Sequence, residues 1–361
     1  MKNKTGLGLA IAFTGAVVSA ATPSDWRTPV KPMMTSSVPL PIEGKLPSFE
    51  GGGEWINSRP LTPAGLRGKV VLLDIWNYSC INWIRQVPYV RAWADKYKDR
   101  GLVVIGIHSP EFMFETNVEN VRRAVKAMNV TYPVVLDSDH AIWTALDNEA
   151  WPALYFVDAQ GRIRHHFYGE GAYDQAEEIL QQLLAEAGHA EPMRSLVSVE
   201  GKGVEAAADW RSLGTPETYV GYGRAESFAS PGGAMRDKSH VYAAPAKLGL
   251  NHWALAGDWT MGRETTKSNA PRGRIAFRFH ARDLHLVMGV SGAGAQGRFR
   301  VLLDGAAPGS SHGLDIDADG NGVVREPRLY QLIRQPAPVR DRTLEIEFLD
   351  AGVDAYSFTF G

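Results

Sequence analysis

Cysteine is almost missing from this chain: 361 residues contain one, Cys80. One thiol excludes an internal disulfide, and it excludes a dithiol cycle within one molecule. Charge of one sign is missing too. Lys and Arg number 38 against 40 Asp and Glu, a formal net charge of −2, which gives no reason to expect nucleic acid or an anionic membrane as partner. Long hydrophobic runs are also lacking. The apolar stretch Leu7–Val18 falls short of the ~20 residues a membrane span needs, and no later segment is a better candidate, so no transmembrane domain is expected. What remains is an ordinary globular composition, 44% hydrophobic, with room for two domains.

The N-terminus has the pattern of a secretory signal. Lys2 and Lys4 precede the apolar stretch, and Val18-Ser19-Ala20 offers a small-residue cleavage site. Residues 1–20 are therefore expected to be a signal peptide and 21–45 a flexible leader punctuated by Pro and Ser. A periplasmic or secreted location follows. There, a lone thiol is unusual.

The chemistry centres on Val70–Trp83, VVLLDIWNYSCINW. Val70–Trp76 is nearly uninterrupted apolar sequence, as in a central strand covered on both faces. Asp74 sits inside that run, where a charged carboxylate costs several kcal/mol, so it is expected to be protonated or paired. Cys80 follows, and Ile81–Lys98 has helical character. A thiol at the first turn of a helix lies beside free backbone N–H groups and the positive end of the dipole, which favours thiolate.

This segment resembles the active-site strand, loop and helix of the thioredoxin superfamily, and more narrowly of the TlpA/DipZ-like thiol–disulfide oxidoreductases. The resemblance implies that Asp74 is the buried acid, Trp76 the aromatic beside it and Cys80 the attacking thiol. It implies that Pro152, after Trp151, is the cis-proline facing that thiol. It breaks at Trp83, where the family has its second cysteine. Trp83 falls with Val87, Val90, Ala94 and Tyr97 on one helical face, so it either caps a packed stripe or shapes a site for other chemistry. Asp74 is correspondingly either a relic or a group that tunes Cys80. A peroxiredoxin pattern, P-x-x-x-T-x-x-C, fails at Leu73 and Asn77. His165 and His166, adjacent in a strand, are expected on opposite faces.

Around that segment, strand and helix patterns alternate. Leu102–His108 and Val130–Leu136 are expected strands, and Val118–Asn129 an expected helix. Ala153–Asp158 and Arg162–Tyr168 flank a turn at 158–161, and Tyr173–Ala187 closes as an amphipathic helix. The reading is an α/β thioredoxin-like domain over 46–187, a linker over 188–215, and an all-β jelly-roll or β-sandwich domain over 216–361. The last rests on short alternating strands such as Arg274–His280, Thr343–Leu349 and Tyr356/Phe358/Phe360. The resemblance extends to this part, where the relatives carry a carbohydrate-binding-module-like jelly roll, and it makes a glycan a candidate partner.

One further motif is Asp315-Ile-Asp317-Ala-Asp319-Gly320-Asn321 with Glu326 at the twelfth position. The spacing fits a calcium loop, with Asp315, Asp317, Asp319, Asn321 and Glu326 as ligands; an Asp/Gly-rich turn between strands is the competing reading. No other cofactor is expected. Two functions remain open. One is monothiol redox chemistry through Cys80 on extracytoplasmic protein thiols and disulfides, with an external thiol resolving the product. The other is a catalytically degenerate protein that binds a protein or glycan.

Overall fold

The structure, a computed structural model, describes residues 39–189, 195–292 and 294–361. The expected signal peptide lies outside these residues, as does most of the leader. Among the described residues, no helix is long and apolar enough to cross a membrane.

The first half is a seven-stranded sheet with four α-helices. Its elements are β1 (Gly44–Lys45), β2 (Trp55–Ile56), β3 (Val70–Trp76), α1 (Ile81–Tyr97), β4 (Leu102–His108), α2 (Val118–Ala127), β5 (Val134–Leu136), α3 (Ala141–Ala145), β6 (Ala153–Val157), β7 (Arg162–Tyr168) and α4 (Tyr173–Glu186). The strand order is β1-β7-β6-β3-β4-β5-β2. β3 pairs parallel with β4 and antiparallel with β6, and all seven of its residues are buried. The apolar run is continuous because β3 is covered on both faces. The turn at 158–161 forms as expected, with Gly161 at φ 76 and Asp158 N–H bonded to the Arg162 carbonyl.

One expectation needs correction here. The strand at 130–136 shrinks to Val134–Leu136: Pro133 has no N–H to give a ladder, and the Tyr132 side chain turns inward to Asp74. His165 and His166 lie on opposite faces of β7 as expected: His165 packs with Phe156 and Phe167, and His166 with Tyr155 and Tyr168, while the Glu43 carboxylate at the strand edge approaches both ring Nδ1 atoms, at 3.7 and 2.7 Å.

The second half is all-β, one curled antiparallel sheet of eleven strands: β8 (Thr218–Tyr219), β9 (Ser239–Tyr242), β10 (Trp253–Met261), β11 (Thr266–Ser268), β12 (Gly273–Phe279), β13 (Asp283–Val290), β14 (Gly297–Leu303), β15 (Asn321–Val324), β16 (Arg328–Arg334), β17 (Arg342–Phe348) and β18 (Val353–Phe360). β10 turns the corner. Its first half pairs with β12 and its second with β9 and β11. Gly257 stands at the switch with φ 92, and a Cβ there would meet the Gly273 backbone at 3.1 Å. The inward faces of both layers form one core that includes Trp253, Trp259, Ile275, Phe277, Phe279, Phe348, Phe358 and Phe360. The alternation in the sequence predicts this.

Residues 41–361 form a single compact unit, so the two domains are packed together. Tyr356, placed by its alternation with Phe358 and Phe360, instead faces the other domain. Its ring lies 5.1 Å from Phe112 and 4.7 Å from Phe114.

Candidate active site

Cys80 is the N-cap of α1, and its carbonyl accepts the first helical bond from Ile84. The thiol is half-buried. Backbone hydrogen bonds from Trp83 and Asn82 favour the thiolate, as a helix start should. They are outweighed by burial, the largest effect, and by the Glu217 and Glu111 carboxylates, and the thiol is pushed well above its ordinary value. The expectation of a favoured thiolate is therefore reversed. The geometry that would activate Cys80 is present, but its surroundings are negative.

Trp83, one turn along, is fully buried. Its contacts are those of a packed side chain that also binds the buried acid. Its ring stacks on Trp76 at 4.0 Å with planes 19° apart, and its Nε1–H donates to Asp74 Oδ2 at 3.0 Å. Tyr132 donates to the same oxygen at 3.1 Å, and Gln86 Nε2 donates to Oδ1 at 3.2 Å. Desolvation nonetheless wins: the Asp74 carboxyl is raised to about 6, with those three donors pulling it partway back. An acid held by three donors and sealed behind two tryptophans has little freedom to exchange protons with Cys80.

Buried polar groups without partners surround this centre: Trp76 Nε1, Asn77 Nδ2, Gln86 Oε1 and His108 Nε2. His108 packs edge-on against Trp76 and stacks on Tyr78, and burial lowers its pKa to about 3, so it is neutral. Trp151–Pro152 is a cis peptide at the start of β6, and the Trp151 indole donates to the Ser109 carbonyl at 2.9 Å.

Several groups lay beyond sequence reasoning. Glu115 is buried under the loop. It accepts from Ser79 Oγ at 2.7 Å and from the N–H groups of Glu111 and Phe112 at 2.7 and 3.1 Å, with its carboxyl raised to about 7 by desolvation. Its one signal was a Glu directly after the aromatic stretch Phe112–Phe114. Gln86 and Tyr132 gave no signal as partners of Asp74, and Glu217 comes from the other domain.

The calcium loop does not gather its ligands. Asp315 accepts from Arg328 at 2.6 Å and from the Gln331 N–H at 2.7 Å. Asp317 caps its own turn, taking the N–H groups of Asp319 and Asn321. Glu326 pairs with Arg123 and Arg328, and Asn321 already belongs to β15. Among the described residues, no group of three His, Cys, Asp or Glu side chains is arranged to hold a metal ion. The spacing belongs to a tight turn leading into β15. The aromatics Trp253 and Trp259 of the β-domain are fully buried, so they form no platform for a sugar.

Comparison with known proteins agrees with this architecture. The AhpC/TSA family matches residues 42–166, and the family described as "Thioredoxin like C-terminal domain" matches residues 215–361. Protein DipZ of Mycobacterium bovis and of Mycobacterium tuberculosis is 35% identical over 323 residues, covering 88% of this chain and 43% of DipZ. The thiol-disulfide oxidoreductase YkuV of Bacillus subtilis is 29% identical over 147 residues, covering 41% of this chain and 99% of YkuV. The chain thus spans less than half the length of the DipZ relatives. With a thioredoxin-like α/β domain, an all-β domain and a DipZ alignment running through both, the chain belongs to the thioredoxin superfamily as a DipZ-like protein.

Proposed function

We propose that this protein performs thiol–disulfide exchange through Cys80 alone, on extracytoplasmic proteins, and forms a long-lived mixed disulfide that an external thiol resolves. The observation that carries this reading is Trp83. It occupies the position of the second cysteine and binds Asp74, so the chain supplies neither a resolving thiol nor a free buried acid. The likeness to proteins named as thiol-disulfide oxidoreductases supports the reaction class.

The kinetics follow from the thiol. A high pKa leaves little thiolate at neutral pH, so attack is slow, and it makes Cys80 a poor leaving group once joined to a partner. Both effects favour holding over turnover. In the exchange, the Cys80 sulfur bonds to one substrate sulfur, the substrate S–S bond breaks, and the departing thiolate takes up a proton.

The second reading is a binding protein with an inert cysteine, and the upward push on the thiol favours it. Intact mass after incubation with a disulfide-containing peptide separates the two. The exchange reading expects one adduct per chain, stable until a small thiol is added and absent in Cys80→Ser. No adduct, or turnover without added thiol, would sink it.

A further inference from the structure

A cavity of about 450 Å³ opens at the seam between the domains. One wall is α2, where Ala124 and Ala127 stand three residues apart and so share a helical face. The other is the turn from β15 to β16, which presents Pro327, and the buried Tyr78 closes the inner end. An ion pair of Arg123 with Glu326, at 3.2 Å, ties the two walls together. Arg123 also bonds Asn120, whose amide donates to the Phe114 carbonyl at 2.8 Å. The Tyr78 hydroxyl is 3.5 Å from that same carbonyl, the limit of a hydrogen bond, so it can turn to a new partner. Charge at the rim does not balance. Arg123, Lys126 and Arg328 are three cations, against the Glu326 carboxylate and that of Asp315, which pairs with Arg328 at 2.6 Å. Lys126 is exposed and has no side-chain partner among the described residues.

We propose that this cavity binds a small aromatic acid, its ring held between α2 and Pro327 and its carboxylate at Lys126 and the neighbouring arginines. The volume falls in the range of small-molecule sites, which are mostly apolar with a few placed polar groups. Two alanines facing a proline leave a slot, and a slot fits a flat ring. The surplus of positive charge at the rim selects an anion, and a carboxylate matches the forked donors of a guanidinium. A neutral aromatic gains only the apolar burial, and a cationic one meets like charge. An occupant would rest against the loop that carries Cys80, because Tyr78 lies two residues before it and stacks on His108. Binding itself needs no reaction at the thiol, so the site stands whether or not Cys80 exchanges.

The test is titration calorimetry on the full chain with three matched probes: indole-3-acetate (anionic), indole-3-acetamide (neutral) and tryptamine (cationic). At low salt the acid should bind at submillimolar concentration, about fivefold or more tighter than the amide, with tryptamine weakest and the gaps narrowing at high salt. Lys126→Glu should remove the preference for the acid while leaving the affinity for the amide unchanged. Ala127→Trp, at an exposed position, should fill the slot and weaken the acid by about tenfold or more. Should that variant fail to fold, Lys126→Glu decides alone. No binding of the acid at millimolar concentration, or acid and amide binding alike to the native protein, would overturn the proposal. So would an affinity for the acid that neither variant changes, since the probe would then sit elsewhere.

Discussion

The indole of Trp83 donates to the carboxylate of Asp74 at 3.0 Å. The side chain that displaces a second thiol from the motif thus also occupies the acid beneath it. Replacing one residue removes two parts of a dithiol mechanism, and the two losses are separable by mutation.

Trp83→Phe keeps an aromatic ring against Trp76 but removes the donor. It should cost about 1–2 kcal/mol above pH 6, where Asp74 is charged and loses a hydrogen bond. Trp83→Cys should cost more, about 3–5 kcal/mol, because a fully buried indole is replaced by a small side chain. It should also create an oxidisable pair. Urea denaturation measures the first effect, and thiol counting before and after mild oxidation measures the second. Two free thiols surviving oxidation of the folded Cys variant would refute the placement of position 83.

Asp74 sets a pH dependence with a definite sign. Its folded value is about 6 against an ordinary 3.8, so the native state binds the proton more tightly than the unfolded chain. The stabilisation is full below pH ~4 and is lost as pH rises to about 6, on the order of 3 kcal/mol in total. Asp74→Asn cannot ionise, and Gln86 can turn its unpartnered Oε1 toward the new amide. The variant's stability relative to wild type should therefore climb between pH 4 and 7. A difference flat with pH would contradict the burial of this acid.

Cys80 should alkylate slowly at neutral pH, with a midpoint above the ~8.5 of free cysteine. Burial and the two glutamates set that direction. Rates of iodoacetamide addition across pH 6–11 give the midpoint. A value below that of free cysteine would mean that the helix N-terminus dominates.

The domains should unfold together. Tyr356 packs on Phe112 and Phe114, and Glu111 bonds Tyr219 and Arg224 across the same seam. One calorimetric transition is expected for the native chain, with Tyr356→Ala lowering it or splitting it in two. Two well-separated transitions in the native chain would argue against the seam.

Much of this was legible from pattern alone. The apolar run of β3, the helix starting after Cys80, the turn closed by Gly161 and the alternation feeding the β-domain core are local signals, each fixed by a few neighbouring residues. What escaped depends on residues far apart in the chain. Asp74 was visible as a buried acid, but Tyr132 and Gln86 became its partners only once β3, α1 and the segment before β5 packed. Cys80 was visible at a helix start, but its burial, with the like charge of Glu217 from the other domain adding to it, outweighs that start. The calcium loop failed for a related reason. Its spacing was right, but its first and last carboxylates are taken up by arginines, Asp315 by Arg328 and Glu326 by both Arg328 and Arg123, the latter distant in sequence.

The solitary thiol has a practical consequence. Cys80 lies where both domains contribute charge to its surroundings, and no second sulfhydryl competes for a label. A fluorophore or nitroxide attached there would report opening of the seam directly, as a change in emission or line shape, in a sequence needing no engineered cysteine.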